Sequence, residues 1–190
     1  MNSDILTSVS ATPSITSANR KVKAFSTLGF NMDLRQPTGL SFKDFKRIIS
    51  NDSNDRYNII ADNIETFYYM ETKYNVNGIF IMAVAIHESG WGTSNIAKDR
   101  MNLFGYGAYD RDPYNSSFNF GSYAEGIESV TKALAKHYLN KPGTPIADGQ
   151  VASGAYYNGP TLSGVNTKYA SDKEWGVKVF GIMEYLYGKL

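Results

Sequence analysis

The hydrophobic positions of the chain recur mainly at the three- and four-residue steps of an α-helix. Ser41, with Asp44 three residues later, has the spacing of a capping box, and the apolar residues that follow predict a short helix. Residues 55–74 carry their apolar side chains on one stripe and predict an amphipathic helix of several turns. The first half of the chain is therefore predicted to be helical.

Residues 78–88 form a run that is apolar on every side of a helix. Asn77 suits the N-cap of this helix, and Gly90 and Gly92 are expected to end it. A helix without a polar face belongs at the centre of a domain. The run is much shorter than the roughly 20 residues that cross a bilayer, so it predicts a core helix and no membrane insertion.

The remaining elements are predicted from turn and capping signals. Residues 102–120 mix aromatic residues, glycines and an Asp-Pro turn, which indicates a β-hairpin or an ordered loop. Ser122 with Glu125 has capping-box spacing before one more amphipathic helix, and Ser171 with Glu174 has it before the last helix. The predicted fold class is α+β but mostly α, a helical domain with a small β-hairpin or loop lobe.

The chain is long enough for one main domain. Residues 1–20 are rich in Ser, Thr and Asn and are predicted to be a flexible tail or linker. The pattern over 21–39 is irregular, and 149–164 is loop-like. We expect 21–75 to form the N-terminal helical part and 76–190 to form the core that carries the chemistry.

Composition narrows the class of partner. With a net charge of +1 and basic residues spread along the chain, the electrostatic signature of a nucleic-acid binder is missing, and a neutral ligand is expected. The 14 tyrosines suit a sugar-binding cleft, because a phenol ring offers an apolar face and a hydroxyl. The alternative for each tyrosine is a place in the core or at its edge.

The sequence predicts no metal and no organic cofactor. It has two histidines and no cysteine, and it contains no glycine-rich loop that would cradle a phosphate. The N-terminus lacks a basic region followed by an apolar one, so no signal peptide is expected in this chain. Export would then be signalled elsewhere, or the chain would be an excised domain.

Glu88 is the residue of clearest chemical interest. It stands at the end of the predicted central helix, within residues 85–94, which read AIHESGWGTS. Apolar surroundings and the negative end of the helix dipole both disfavour a carboxylate, so the pKa of Glu88 should be raised. Such a group donates a proton near neutral pH, as a general acid does. The alternative is an ordinary solvent-facing residue at a helix end.

The segment around Glu88 resembles the catalytic signature of the glucosaminidase family of peptidoglycan hydrolases, glycoside hydrolase family 73. Two more motifs are similar to that family, NLFGYGAYD over residues 102–110 and YASDKEWG over 169–176. The resemblance covers about residue 80 to the C-terminus and is strongest to the autolysin and daughter-cell-separating branch. It implies a lysozyme-like fold with Glu88 as the general acid. His87 departs from the commoner pattern, and its role is left open.

Glycosidic cleavage needs a second group besides the acid, to attack or stabilise the oxocarbenium-like carbon. The motifs offer Asp110, Tyr169 and Asp172. Asp110 would activate water in an inverting reaction, whose two carboxyl groups lie about 6.5 to 9.5 Å apart. Alternatively the acetamido oxygen of the substrate attacks, and Tyr169 or Asp172 orients that group; this is the route we favour. The structural alternatives are a turn residue for Asp110 and a first-turn helix residue for Asp172.

Five residues of the motifs are candidates for contact with the sugar: Trp91, Asn102, Phe104, Tyr106 and Tyr109. The aromatic ones would stack on pyranose faces, although a core position is an equal alternative for Trp91 and Phe104.

The resemblance implies a monomeric, extracellular or wall-associated endo-β-N-acetylglucosaminidase that acts on the glycan strands of peptidoglycan. It would cut after N-acetylglucosamine with water as the second substrate. The alternatives are a lytic transglycosylase of the same architecture, which forms an anhydro-muramyl product, and a non-catalytic wall-binding module.

Overall fold

The computed structural model describes residues 16–108 and 112–190. This part of the chain is mostly helical, with ten α-helices and one π-helix. The α-helices are α1 Ser17–Thr27, α2 Phe42–Ile49, α3 Ile59–Asp62, α4 Ile64–Tyr74, α5 Gly78–Ser89, α6 Asn95–Arg100, α7 Pro113–Ser116, α8 Tyr123–Ala133, α9 Leu162–Tyr169 and α10 Trp175–Tyr187. The π-helix, Leu134–Leu139, directly continues α8.

Helix α5 is the centre of the domain, as its apolar sequence predicts. Every residue from Gly78 to Ile86 is buried, and the helix packs along α10 and also contacts α4 and α8. The predicted cap is confirmed, because the Asn77 side chain accepts the Phe80 N–H at 2.9 Å. Gly90 ends the helix in the left-handed region, at a φ of 55°, which a residue without a Cβ adopts at little cost. Because α5 is enclosed on all sides, both of its ends are held in place.

The hydrophobic core is continuous across the predicted boundary at residue 75. Ala24, Phe45 and Phe67 precede that boundary, Leu134 and Val179 follow it, and all five belong to the same buried cluster. The two predicted parts therefore share one core. The described residues contain no helix long and apolar enough to cross a membrane.

A buried carboxyl group holds the beginning of α5. One oxygen of Glu71 accepts the Thr38 hydroxyl at 2.9 Å, and the other accepts the Gly78 N–H at 2.8 Å. Burial raises the pKa of Glu71, against the opposing effect of these hydrogen bonds. Gly78 leaves room for this arrangement, since a Cβ there would lie 2.8 Å from the Phe45 ring and 3.0 Å from a Glu71 oxygen.

The helices expected in the first half are present, with two differences. The capping box of Ser41 and Asp44 is confirmed at the start of α2. The predicted helix over 55–74 is divided into α3 and α4 at Asn63, whose side chain donates to the Ile59 carbonyl. Helix α1 occupies part of the chain that was predicted to be tail and irregular structure; residues 1–15 of that tail lie outside the described residues.

The β-hairpin is not confirmed. The described residues of 102–120 form turns and the single-turn helix α7, and an isolated bridge between Pro145 and Val151 lies elsewhere. Helix α9 forms where the end of a loop was predicted, because Thr161 caps it by accepting the Gly164 N–H. Local composition did not reveal α9, whose burial depends on its packing against α10.

The predicted capping box at the start of the last helix is wrong. Helix α10 begins at Trp175 and has no side-chain cap from Ser171 or Glu174. Instead, the Asn166 side chain of α9 accepts the Gly176 N–H at 2.9 Å. A residue distant in the sequence therefore supplies the acceptor that a local motif was expected to supply.

We expect Gly78→Ala to destabilise the protein by about 1 to 3 kcal/mol, because the added methyl group overpacks the contact with Phe45 and Glu71. Gly181→Ala is the matched control. Gly181 lies on the exposed side of α10, and no atom lies within 4 Å of the place that a methyl group would take, so alanine should stabilise by about 0.5 to 1 kcal/mol. Urea unfolding measures the free energy of unfolding of both variants. Equal changes in that free energy for the two substitutions would contradict the packing argument.

Candidate active site

Glu88 lies in the last turn of α5, where hydrogen bonds fix the course of the chain. The Gly90 N–H donates to the Ile86 carbonyl and closes the helix. The Ser89 hydroxyl donates to a backbone carbonyl in the preceding turn at 2.6 Å and accepts the Gly92 N–H at 2.8 Å. The backbone that carries the Glu88 side chain is therefore rigid.

The Glu88 side chain opens onto a cleft of about 640 Å³. The end of α5 and the loop 104–108 form one part of its lining, and the end of α8, the π-helix and the segment 169–175 form the rest. The lining residues are His87, Glu88, Phe104, Gly105, Tyr106, Gly107, Ala108, Val130, Ala133, Leu134, Tyr138, Tyr169, Ala170, Ser171, Asp172 and Trp175.

The Glu88 carboxyl group is mostly withdrawn from water and has one hydrogen-bond donor in the described structure. The Trp175 indole N–H donates to Oε1 of Glu88 at 2.8 Å. Burial raises the pKa of Glu88, and it outweighs the lowering effects of the Trp175 hydrogen bond and of nearby His87. Since Trp175 engages Oε1, Oε2 is left to carry a proton toward the cleft.

Four aromatic rings form a continuous series beside Glu88, and three of them, Tyr138, Tyr169 and Trp175, line the cleft. Tyr156 packs on Tyr138 with ring centroids 5.0 Å apart, Tyr138 meets Tyr169 edge-on at 5.5 Å, and Tyr169 packs on Trp175 at 4.8 Å. The last member of the series is the hydrogen-bond donor to Glu88. Trp175 itself is buried, so the rings that remain for contact with a ligand in the cleft are those of Tyr138 and Tyr169.

Tyr169 is brought close to Glu88, as the motif comparison suggested. Burial, together with the Glu88 carboxylate, raises the pKa of the Tyr169 phenol well above its ordinary value. The phenol therefore stays protonated near neutral pH and acts as a hydrogen-bond donor. Its hydroxyl makes no hydrogen bond to any other described residue, so that donor is available to a ligand in the cleft.

Asp172 lines the cleft but is exposed and already paired. Lys178 donates to Oδ2 at 2.6 Å, and the Glu174 N–H donates to Oδ1 at 2.9 Å. The hydrogen bond from the Lys178 ammonium is the main cause that holds the pKa of this carboxyl group below its ordinary value. Asp172 precedes α10 by three residues and so lies outside the first helical turn in which it was expected.

Phe104 and Tyr106 line the cleft, whereas Asn102 supports the loop that carries them. The buried Asn102 side chain donates to the Tyr106 and Phe118 carbonyls at 2.9 and 3.0 Å. Its oxygen accepts the Phe104 and Tyr106 N–H groups. With both ends of its amide used in this way, Asn102 shapes the loop and does not itself line the cleft.

Gly107 permits the close packing of this loop. Its φ of 80° lies in the left-handed region, and a Cβ would come within 2.3 Å of the Phe118 ring. Tyr106 stacks on Phe118 at 5.3 Å as a result of the same close approach. Tyr109 and Asp110, two other predicted site residues, lie outside the described residues.

Trp91 does not line the cleft. Its ring meets Tyr185 of α10 edge-on, with centroids 6.1 Å apart, and it packs against the hydrophobic core. Its backbone adopts a φ of 61° directly after Gly90. Trp91 therefore lies at the edge of the core, away from the cleft in which it was expected to stack on a sugar.

Sequence reasoning did not assign Tyr138 and His87 to the cleft. Tyr138 falls within the stretch for which an amphipathic helix was predicted after Ser122, but it lies in the π-helix, whose wider turn changes the direction of its side chains. No local signal identifies that turn. His87 could have been identified by its place beside Glu88.

The described residues include no group of three or more His, Asp or Glu side chains placed to hold a metal ion. Three of the predicted catalytic residues, Glu88, Tyr169 and Asp172, line the cleft.

A helical domain with a buried carboxyl group at the end of its central helix, facing an aromatic-lined cleft, has the architecture of a lysozyme-like glycosidase. The glucosaminidase family, described as mannosyl-glycoprotein endo-beta-N-acetylglucosaminidase, matches residues 64–188. The chain therefore belongs to this family of glycoside hydrolases, which confirms the resemblance seen in the motifs.

Two putative endo-beta-N-acetylglucosaminidases of Streptococcus pneumoniae, from strains TIGR4 and R6, are each 32% identical to the chain over 158 residues. The match covers 83% of this chain but only 22% and 21% of theirs. The chain thus spans about a fifth of the length of these relatives.

Crystal structures of Staphylococcus aureus autolysin E share the fold. A catalytic mutant in complex with the disaccharide NAG-NAM gives a TM-score of 0.59 at 20% identity, over 91% of this chain and 79% of that one. Autolysin E without the mutation gives a TM-score of 0.56 at 20% identity, over 91% of this chain and 78% of that one. The lysozyme-like helical fold predicted from the sequence is confirmed.

We expect Trp175→Phe to raise the pKa of Glu88 further. The phenyl ring keeps the contact with Tyr169, but the N–H that favours the charged carboxylate is lost. Carbon NMR of the Glu88 carboxyl group, followed through a pH titration, measures the shift. Trp91→Phe is the matched control, and it should leave the Glu88 titration unchanged because Trp91 does not line the cleft. A pKa that falls in Trp175→Phe would refute this role.

Proposed function

We propose that the chain is the catalytic domain of an endo-β-N-acetylglucosaminidase that hydrolyses the glycan strands of peptidoglycan. The cut falls between N-acetylglucosamine and N-acetylmuramic acid, and the enzyme acts outside the cell or on its wall. The main support is Glu88, a carboxyl group with a raised pKa and a single protein hydrogen bond, at the edge of a cleft lined by aromatic rings. Family membership supports the class of bond, and autolysin E has been solved with NAG-NAM bound.

In the first step Glu88 acts as the general acid. Its Oε2 gives a proton to the glycosidic oxygen as the bond from that oxygen to the anomeric carbon breaks, and Glu88 becomes a carboxylate. The Trp175 N–H on Oε1 stabilises that carboxylate as it forms. The burial that raises the pKa keeps the proton available until substrate binds.

For the second group we propose substrate assistance, with Tyr169 ahead of Asp172. The acetamido oxygen of the substrate attacks the anomeric carbon, and water later opens the resulting ring and returns a proton to Glu88. The free hydroxyl of Tyr169 suits the orientation of the acetamido group, because it is a donor close to Glu88. Asp172 is less suited, since both of its oxygens already accept hydrogen bonds.

Glu88→Gln should abolish wall hydrolysis, because the amide keeps the shape of the side chain but cannot donate the proton. The measurement is release of fragments from purified walls, followed by borohydride reduction and mass spectrometry. The parent protein should yield chains ending in reduced N-acetylglucosamine. Anhydro-muramyl ends, lighter by one water, would show a lytic transglycosylase instead, and no release by the parent would favour a wall-binding module.

The fold of the Glu88→Gln variant provides the control. Since the folded pKa of Glu88 is raised, its contribution to stability is present below the ordinary glutamate pKa and is lost as the pH rises through the raised value. The variant should therefore be at least as stable as the parent protein at neutral pH. The difference in the free energy of unfolding between the two proteins should disappear in acid. If a folded variant lysed walls at the parental rate, Glu88 would not be the general acid.

If the acetamido group attacks, the first-formed product is the β-anomer, which proton NMR detects before mutarotation. Tyr169→Phe should then lower kcat about 10- to 100-fold, the usual effect of one hydrogen bond to developing charge. Asp110→Asn, the control for the alternative route, should have a mild effect. An initial α-anomer, with a loss of about two to four orders of magnitude in Asp110→Asn, would establish a general base in place of substrate assistance.

A further inference from the structure

A second groove, of about 520 Å³, lies between α1 and α2 and shares no lining residue with the cleft. Its cationic residues are Arg20, Lys21, Lys43, Lys46 and Arg47, and we call it the basic groove. Serine side chains and one aspartate complete its lining.

The single acid in the basic groove is already neutralised within the protein. Asp44 is buried, and one of its oxygens accepts the Ser41 N–H and hydroxyl in the capping box of α2. Lys21 lies 3.6 Å from its other oxygen. These contacts lower the pKa of Asp44 against the raising effect of burial, so it stays charged and internally paired.

Three cations of α2 lie together without a carboxylate partner among the described residues. Lys43, Lys46 and Arg47 are exposed, and their spacing of three and four residues places them on one face of the helix. Like charges at this spacing destabilise a helix. Lys43 is also in the first turn, where the helix dipole disfavours a cation.

Two exposed lysines elsewhere among the described residues are each paired with a carboxylate. Lys73 pairs with Glu128 at 2.6 Å, and Lys178 pairs with Asp172 at the same distance. Over residues 20–47 there are seven Lys and Arg but two Asp, although the whole chain has 19 basic and 18 acidic residues. Charge is thus nearly balanced over the whole chain but locally positive over this segment.

The lining of the basic groove indicates the chemistry of its ligand. Lysine and arginine with serine hydroxyls bind phosphate groups, and the arginine fork does so with two parallel hydrogen bonds. No aromatic side chain lines the groove, so nucleobases would have no ring on which to stack. The described residues that line the groove are all polar or charged, without the large apolar side chains that insert into a lipid interface.

We propose that the basic groove binds a polyanion that carries several phosphate groups and no nucleobase. Such a polyanion neutralises Lys43, Lys46 and Arg47 together. Binding there leaves the cleft free, because the two sites have no lining residue in common.

The test is a titration of the full chain with a short inorganic polyphosphate at several salt concentrations. We expect binding that weakens with salt. The triple variant Lys43→Gln, Lys46→Gln, Arg47→Gln should lose at least about tenfold in affinity at low salt, and its slope of log affinity on log salt should fall by about two, or 0.7 for each lost contact.

The matched control removes three exposed lysines elsewhere, in Lys98→Gln, Lys141→Gln, Lys168→Gln, and keeps the same net charge. It should retain most of the affinity. Equal losses in the two triple variants, or no binding by the parent protein at low salt, would overturn the proposal. Tighter binding of a single-stranded oligonucleotide of equal charge, or binding only to phosphatidylglycerol vesicles, would overturn it as well. Thermal unfolding shows that both variants are folded.

Discussion

The structure depends on the burial of α5 and on the hydrogen bond that joins its end to α10. The apolar sequence of α5 places it at the centre of the domain, so Glu88, in its last turn, is carried to the border between core and cleft. Trp175, the first residue of α10, reaches the same carboxyl group with its indole N–H. The packing of two helices therefore determines both the position and the protonation of the proposed acid, because any shift between them would change the burial and the hydrogen bond together.

The two ends of α5 show how environment separates a structural from a chemical carboxyl group. Both Glu71 and Glu88 have a pKa raised by burial. Glu71 meets the positive end of the helix dipole and accepts hydrogen bonds on both oxygens, from Thr38 and Gly78, so its oxygens are engaged within the protein. Glu88 lies at the negative end, has one donor and faces a cleft, so it keeps a free oxygen for substrate. The same residue type thus has two different uses.

The surface is divided in a way that fits a neutral glycan in the cleft. Around Glu88 the lining includes several aromatic side chains, and its second carboxylate, Asp172, is paired with Lys178. Three exposed cations, Lys43, Lys46 and Arg47, lie together on α2, among residues that do not line the cleft. A sugar chain and a polyanion would therefore use separate surfaces, and the nearly neutral net charge of the chain conceals this separation.

The sequence by itself determined the central helix, its caps, the position of Glu88 at the end of that helix and the family. These features depend on local periodicity and on short motifs. Two of its candidate site residues, Tyr169 and Phe104, line the cleft in the structure. Only the tertiary structure showed that Asn102 supports a loop and that Trp91 packs in the core, since a side chain at a motif position can point either way. It also decided the start of α10, the existence of α9 and the π-helix, because their hydrogen bonds and buried faces are supplied by residues far away in the sequence.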